Sequence, residues 1–280
     1  MFKIKEISFL APGVLQALIE APLIAKKAEA GQFIIIRSTE KGERIPLTIA
    51  DYDKAKGIIS IVFQVLGKST TQLAGLKAGD MLTDMLGPQG NPSEITHFGH
   101  VAVIGGGVGV AAAYPIIKSL KKAGNTIISI AGFRSSENIF WLDKLKEFSD
   151  ILLASTNDGS YGQKGLVTDI LKDLLDKNEK IDRVIAIGPA IMMKSAADLT
   201  KKYNLKITVS LNSLMVCGMG MCGACRVTVG GKTKFTCMDG PDFDGHLVDF
   251  KELMTRLDSY KNEEKICLEK WTLECADAAR

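Results

Sequence analysis

The sequence predicts a β + α/β chain: a small antiparallel β-barrel, then a parallel-sheet α/β domain, then a short cysteine-rich module. Three observations carry this expectation. About the first hundred residues hold short β-branched and apolar runs, at 2–9, 14–21, 32–37, 44–50, 58–65 and 81–86, separated by turn residues at even spacing. From His100 the pattern switches to strand alternating with helix, which encodes a parallel sheet covered on both faces. Four of the six cysteines then crowd between residues 211 and 250.

Composition narrows the function classes. The 280-residue length suits about two domains with a small third module. At 46% hydrophobic and 24% charged residues the chain is an ordinary globular one, not disordered, collagen-like or coiled-coil. The 35 Lys and Arg residues against 32 Asp and Glu leave a net +3 with both signs scattered, so nucleic acid is not an expected partner. Gly105, Gly106, Gly107, Gly109 and Pro115 break the longest uncharged stretch, 101–117, so no membrane span is expected. Lys3, Lys5 and Glu6 interrupt any apolar run long enough for a signal segment, and a cytoplasmic chain is expected.

Cys217, Cys222, Cys225 and Cys237 are spaced C-x4-C-x2-C-x11-C, and the first three reproduce the plant-type [2Fe–2S] spacing. Iron with bridging sulfide needs four soft thiolates on one side of a tight loop. Gly218, Gly220 and Gly223 let that loop reach positive φ, so that N–H groups face the sulfurs. A structural zinc site is the alternative, although its usual pattern is two C-x2-C pairs and only one is present. A zinc-stapled binding protein without enzymatic activity therefore stands as a rival reading. Cys267 and Cys275 are expected as buried, inert thiols.

Arg44-Ile45-Pro46-Leu47-Thr48 puts a guanidinium and a hydroxyl on one strand face, suited to a phosphate and a ring heteroatom respectively. Gly67-Lys68-Ser69-Thr70 follows the 58–65 strand and precedes a helical turn at 71–76, whose free N–H groups suit an anion. Gly105-Gly106-Gly107-Val108-Gly109-Val110-Ala111-Ala112 contains G-x-G-x-x-A at a strand–turn–helix junction. No acid ends the next strand; Gly132-Phe133-Arg134-Ser135 stands there, which weakens a strict NAD fingerprint. Gly188-Pro189 marks a second such junction at the carboxyl edge of the sheet.

In this order, the Arg44 to Thr48 strand, the Gly105 to Gly109 run, Thr156-Asn157-Asp158-Gly159-Ser160, Gly188-Pro189 and the cysteine loop resemble ferredoxin–NADP reductase-type flavoproteins with an appended [2Fe–2S] module. The resemblance covers essentially the whole chain. Within that superfamily the chain resembles the electron-transfer subunit of class B dihydroorotate dehydrogenase. It is more similar to the small (alpha) subunit of NADH-dependent ferredoxin:NADP oxidoreductase, the sulfide dehydrogenase subunit type, on the strength of residues 239–250.

The resemblance implies an FAD-binding barrel at 1–97, an NAD(P)-binding α/β domain at 98–210, a [2Fe–2S] module at 211–250 and a C-terminal extension at 251–280. It implies that Arg44, Pro46, Leu47 and Thr48 lie along the flavin, with Thr48 the candidate catalytic residue, hydrogen-bonded to a ring heteroatom. Phe63, Gln64 and Val65 follow on the next strand, and Gly67, Lys68, Ser69 and Thr70 meet the phosphates. Gly106, Gly107, Val108, Gly109, Asp158, Gly188 and Pro189 line the nicotinamide nucleotide. NAD(H) is the implied nucleotide, while Arg134 and Ser135 leave NADP(H) open. Electrons would pass between NAD(P)H, FAD, the cluster and a partner: a larger iron–sulfur flavoprotein subunit, or a dihydroorotate dehydrogenase catalytic subunit. Such cofactors carry the chemistry, so His97, His100 and His246 read as structural.

Overall fold

A computed structural model describes residues 2–278; residues 1, 279 and 280, at the ends of the expected first and last segments, lie outside the described residues. The chain opens with β1 (Phe2–Ala11), β2 (Val14–Glu20), α1 (Pro22–Lys27), β3 (Phe33–Arg37), β4 (Ile45–Asp53), β5 (Ile58–Gln64), α2 (Lys68–Ala74), β6 (Met81–Leu82) and β7 (Asp84–Gln89). These seven strands pair antiparallel in the order β6-β1-β2-β5-β4-β3-β7. Only Thr83 separates the two edge strands in sequence, so the sheet curls into a nearly closed barrel.

Period-2 alternation sorts the barrel's side chains. Ile59, Ile61 and Phe63 of β5 point inward with Ile4, Leu15, Ile19, Ile34, Ile36 and Ile49. Ala50 and Val62 face the other way and pack against the second half of the chain. Strand β3 is buried on both faces, which is why Phe33-Ile34-Ile35-Ile36 reads as one apolar run.

The second half runs β8 (His100–Gly106), α3 (Gly109–Lys122), β9 (Thr126–Phe133), α4 (Leu142–Glu147), β10 (Ile151–Thr156), β11 (Gln163–Lys164), α5 (Val167–Asp176), β12 (Arg183–Ile187), α6 (Ala190–Lys202) and β13 (Ile207–Ser210). Their sheet has the order β11-β10-β9-β8-β12-β13, all parallel. Val101 and Val103 face α3, while Ala102 and Ile104 face α5 and α6, so each central strand is apolar on both sides. Helix α3 lies between this sheet and the outer face of the barrel.

The cysteine-bearing segment adds β14 (Arg226–Val229), β15 (Lys232–Phe235), α7 (Thr236–Asp239) and β16 (Asp242–Asp244), followed by α8 (Phe250–Leu257) and α9 (Lys261–Ala278). Sequence reading has no strand at 242–244. It forms because β13 would otherwise present an unpaired edge, and β16 covers it antiparallel. Cys267 is half-buried and Cys275 exposed, contrary to the expectation of buried thiols. The reason is that α9 lies on the surface, with Ile266 and Leu273 63% and 68% exposed. Among the described residues no helix is long and apolar enough to cross a membrane.

Removing a fully buried barrel side chain leaves a cavity that the interlocked strands cannot close. Ile61→Ala is expected to destabilise the chain by about 2–5 kcal/mol, read from the shift of the denaturant midpoint. An unshifted midpoint contradicts the inward packing of β5.

Candidate functional site

The four cysteines of the loop come together in two pairs. Cys225 and Cys237 are buried, at 2% and 1% exposure, with their sulfurs 3.2 Å apart. Cys217 lies nearer the surface and its sulfur interacts with the Cys222 thiol. Backbone N–H groups converge on the sulfurs: Met219 and Cys222 donate to Cys217 Sγ at 3.5 and 3.4 Å, Gly220 to Cys237 Sγ at 3.2 Å, and Ala224 to Cys222 Sγ at 3.5 Å. Gly218, Gly220 and Gly223 have φ of 71°, 77° and 68°, the left-handed conformation that turns those N–H groups inward.

The local field treats the thiols differently. Burial resists ionisation of Cys217, yet the Met219 and Cys222 N–H groups, the Cys222 thiol and the Met221 N–H outweigh it and bring Cys217 down to about 7. Burial and the Cys225 thiol push Cys237 up to about 12 against the Gly220 N–H. Among the described residues no three histidine, cysteine or carboxylate side chains are grouped around a single ion. Four thiols in a nest of N–H donors have the soft donor set and positive backbone field that an iron–sulfur cluster requires.

This loop sits directly on the barrel. Phe33 and Ile35 of β3 share a small core with Leu86, Met215, Cys225, Phe235 and Cys237. Gly218 approaches so closely that an added Cβ would lie 2.4 Å from Ile35 Cγ1. Asn91 fastens the same edge, donating through Nδ2 to the Met238 carbonyl at 2.9 Å and through its N–H to the Gly240 carbonyl at 2.7 Å. Ser93 donates to Asp242 Oδ2 at 2.6 Å. On its other edge β3 pairs with β4, Phe33 opposite Thr48 and Ile35 opposite Pro46.

Of the expected flavin residues, Pro46 and Thr48 lie on the β4 face opposite the barrel core, with Arg44 just before the strand. Leu47 and Phe63 point into the core instead, because alternate residues of a strand face opposite ways. Arg44 lies 3.6 Å from Asp84, which also pairs with Arg37. Ser69 donates to Glu43 at 3.0 Å, bringing the 67–70 segment beside Arg44. Helix α2 starts at Lys68 rather than at 71. The Thr70 hydroxyl is engaged in capping: it accepts the Leu66 and Gly67 N–H groups at 3.0 and 3.1 Å and donates to the Gly67 carbonyl at 3.0 Å. Gln64 ends β5 and Val65 follows it, both partly exposed.

The glycine junctions meet at the point where the sheet order reverses, between β8 and β12. Gly106 ends β8, Gly107 has φ of 55° and donates to the Gly132 carbonyl at 2.8 Å, Val108 caps α3, and Gly109 opens it. Gly109 packs on the backbone before Gly188 and Pro189; an added Cβ would lie 2.3 Å from the Ile187 carbonyl oxygen. Asp158 follows β10, two strands from β8 in the sheet order β10-β9-β8. Its carboxylate accepts the Ser160 hydroxyl at 2.7 Å and the Ser160 N–H at 3.0 Å, which hold its pKa below the usual range. Its N–H donates to the Arg134 carbonyl at 3.4 Å, so the structure joins it to the segment after β9. Two of the three histidines have structural partners: His100 lies 3.3 Å from Asp182 and His246 3.0 Å from Thr200.

Comparison with known proteins agrees with this geometry. Residues 212–249 match the iron–sulfur cluster binding domain of dihydroorotate dehydrogenase B. The chain is 48% identical over 262 residues to the dihydroorotate dehydrogenase B (NAD(+)) electron transfer subunit homolog of Thermotoga maritima, covering 94% of this chain and 92% of the relative. It is 32% identical to the electron transfer subunit of Clostridium perfringens, over 89% of this chain and 97% of that one. Among solved structures, a chain of an NADH-dependent reduced ferredoxin–NADP oxidoreductase superposes with a TM-score of 0.92 at 47% identity, covering 97% of this chain and 98% of that one. Fold and site together define a ferredoxin-reductase-like electron-transfer protein with an iron–sulfur binding module. More narrowly, the chain belongs to the family of dihydroorotate dehydrogenase B electron transfer subunits and their homologs.

The contact between Gly218 and Ile35 tolerates no extra atom, and the positive φ adds strain for any other residue. Gly218→Ala is expected to cost about 1–3 kcal/mol, measured as a lowered thermal midpoint. Wild-type stability in that variant contradicts the close seating of the cysteine loop on β3.

Proposed function

We propose that this chain is the electron-transfer subunit of an NADH-linked flavin and iron–sulfur oxidoreductase of the ferredoxin:NADP type. The observation that carries the reading is β3: one of its faces packs on Cys225 and Cys237, and its edge pairs with the strand holding Pro46 and Thr48. The functional units of the proposal are residues 1–97 for FAD, 98–210 for NAD(H) and 211–250 for a [2Fe–2S] cluster, with 251–280 as an extension. A cytoplasmic setting suits four reduced thiols.

In this reading Arg44 grips a flavin phosphate, Thr48 hydrogen-bonds the ring, and Lys68 and Ser69 offer the first turn of α2 to the pyrophosphate. Leu47, Phe63 and Thr70 support the site from behind, since their side chains are engaged in the core or the cap. Gly106, Gly107, Val108, Gly109, Gly188 and Pro189 let a nucleotide approach the backbone at the reversal point of the sheet. Asp158, with Arg134 and Ser135, belongs to the far end of that nucleotide. Cys217, Cys222, Cys225 and Cys237 hold the cluster. When bound, the flavin supplies the exchange between a hydride and single electrons.

A partner subunit receives or delivers those electrons. Val216, Met219, Met221 and Met238 form an exposed apolar rim around the outer thiols, suited to a protein surface. The TM-score of 0.92 and 47% identity to the ferredoxin–NADP oxidoreductase chain support a larger iron–sulfur flavoprotein as the partner; the 48% identity to a dihydroorotate dehydrogenase B electron transfer subunit homolog keeps a dihydroorotate dehydrogenase catalytic subunit as the second reading.

Purified without air, the chain is expected to hold one FAD, two irons and two acid-labile sulfides; stoichiometric zinc without sulfide would sink the proposal. Cys222→Ala is expected to lose the iron and keep the flavin. Arg44→Ala is expected to weaken FAD binding by about 1.5–3 kcal/mol, the worth of a charge-assisted bond to phosphate, as read by titration of the flavin-free chain. NADH is expected to bleach the flavin faster than NADPH at equal concentration, and the reverse order would reassign the nucleotide.

A further inference from the structure

Asp51, near the end of β4, reaches across to α3. Its Oδ1 lies 3.1 Å from Lys118 Nζ, and both side chains are less than one-third exposed, at 28% and 29%. Among the described residues this is the one ion pair that ties a barrel strand to a helix of the α/β unit. Lys118 is held from the helix side as well, with its Nζ 5.5 Å from the ring centre of Tyr114 and 5.9 Å from that of Phe148.

The surroundings are built to keep that lysine still. Lys144 Nζ stands 3.9 Å over the Trp141 ring and 5.6 Å from Tyr114. Trp141 has φ of 58°, a left-handed conformation that a bulky residue rarely adopts and that persists only where its neighbours over-determine it. Edge-on ring contacts continue from Tyr114 to Trp141 at 5.5 Å, to Phe140 at 6.2 Å and to Phe133 at 5.7 Å. Phe133 ends β9, immediately before Arg134.

The two ends of the pair are tied to the β4 face that carries Pro46 and Thr48 and to the glycine loop at 106–109. Asp51 is three residues beyond Thr48 on the same strand. Lys118 is nine residues beyond Gly109 on the same helix, about 13.5 Å along its axis, with Pro115 between them. We propose that Asp51 and Lys118 are positioning residues for the meeting of nicotinamide and flavin: the pair locks α3, and with it the 106–109 loop, against the β4 face that carries Pro46 and Thr48. The inference rests on the reading that those surfaces hold the two cofactors. A single, still partly exposed ion pair contributes modestly to stability, whereas an error of about 1 Å between reacting groups can cost about a hundredfold in rate. The pair's effect therefore falls on alignment rather than on folding.

The full chain loaded with FAD tests this. Lys118→Met keeps an apolar stem against the rings and removes the charge; Asp51→Asn removes the other charge. Each is expected to slow flavin bleaching by NADH about tenfold in stopped flow. FAD content, iron content and thermal midpoint are expected to stay at wild-type values. Hydrogen exchange without nucleotide is expected to quicken in 45–53 and 109–122. The charge swap Asp51→Lys with Lys118→Asp is expected to recover most of the rate. Wild-type rates and exchange in both single variants would overturn the proposal, as would a slowing accompanied by loss of FAD or a fallen midpoint, which would make the pair merely structural. A wild-type chain that holds FAD yet is not bleached by NADH would defeat the reading of the cofactor surfaces instead, and the proposal with it.

Discussion

Burial of β3 on both faces is the constraint from which the arrangement follows. Ile34 and Ile36 close the barrel core, while Phe33 and Ile35 form the floor beneath Cys225 and Cys237. Each such side chain contributes about 1.5–3 kcal/mol of hydrophobic stabilisation, so neither face can be released without destabilising the other. The strand thereby acts as a shared wall. Its neighbour β4 lies about 4.8 Å away and presents Pro46 and Thr48 opposite Ile35 and Phe33, the two residues that also pack on the inner thiols.

Helix α3 plays the corresponding part between barrel and sheet. Its residues pack on Val101 and Val103 from one side, and its cluster includes Ala50 and Val62 of the barrel on the other. Small side chains at those two barrel positions allow the close approach. The glycine loops before α3 and α6 then interlock at the reversal of the sheet, where Gly109 touches the backbone of Ile187. Three units are thus held by two elements, β3 and α3. The closing strand β16 returns the cysteine segment to β13 and fixes it from a second direction.

The cysteine loop, the β-to-α/β switch near His100 and the glycine junctions were legible in the sequence because each is encoded by neighbours in the chain. Ligand spacing, hydrophobic period and turn residues are local signals. The seat of the cluster was not legible. The run at Phe33 to Ile36 reveals a strand buried on both sides, but the identity of its second partner, some two hundred residues later, leaves no local trace. Resemblance carried Leu47 and Phe63 to the flavin along with their neighbours, whereas period-2 alternation already assigns them to the opposite faces from Thr48 and Gln64. Thr70 read as an anion ligand because hydroxyls at a helix start serve equally as caps, and here the cap prevails. Strand β16 escaped because Asp242-Phe243-Asp244 has a single apolar residue, and pairing with an exposed edge outweighs its propensity.

The central claim is that one chain holds a flavin and a two-iron cluster close enough to share electrons through the β3 wall. Its most direct measurement is anaerobic addition of NADH to the isolated chain, with flavin absorbance and the electron paramagnetic resonance of the reduced cluster followed on the same sample. The cluster signal should rise as the flavin bleaches, without any partner protein. A chain that contains both cofactors, loses its flavin absorbance and develops no cluster signal would contradict the account.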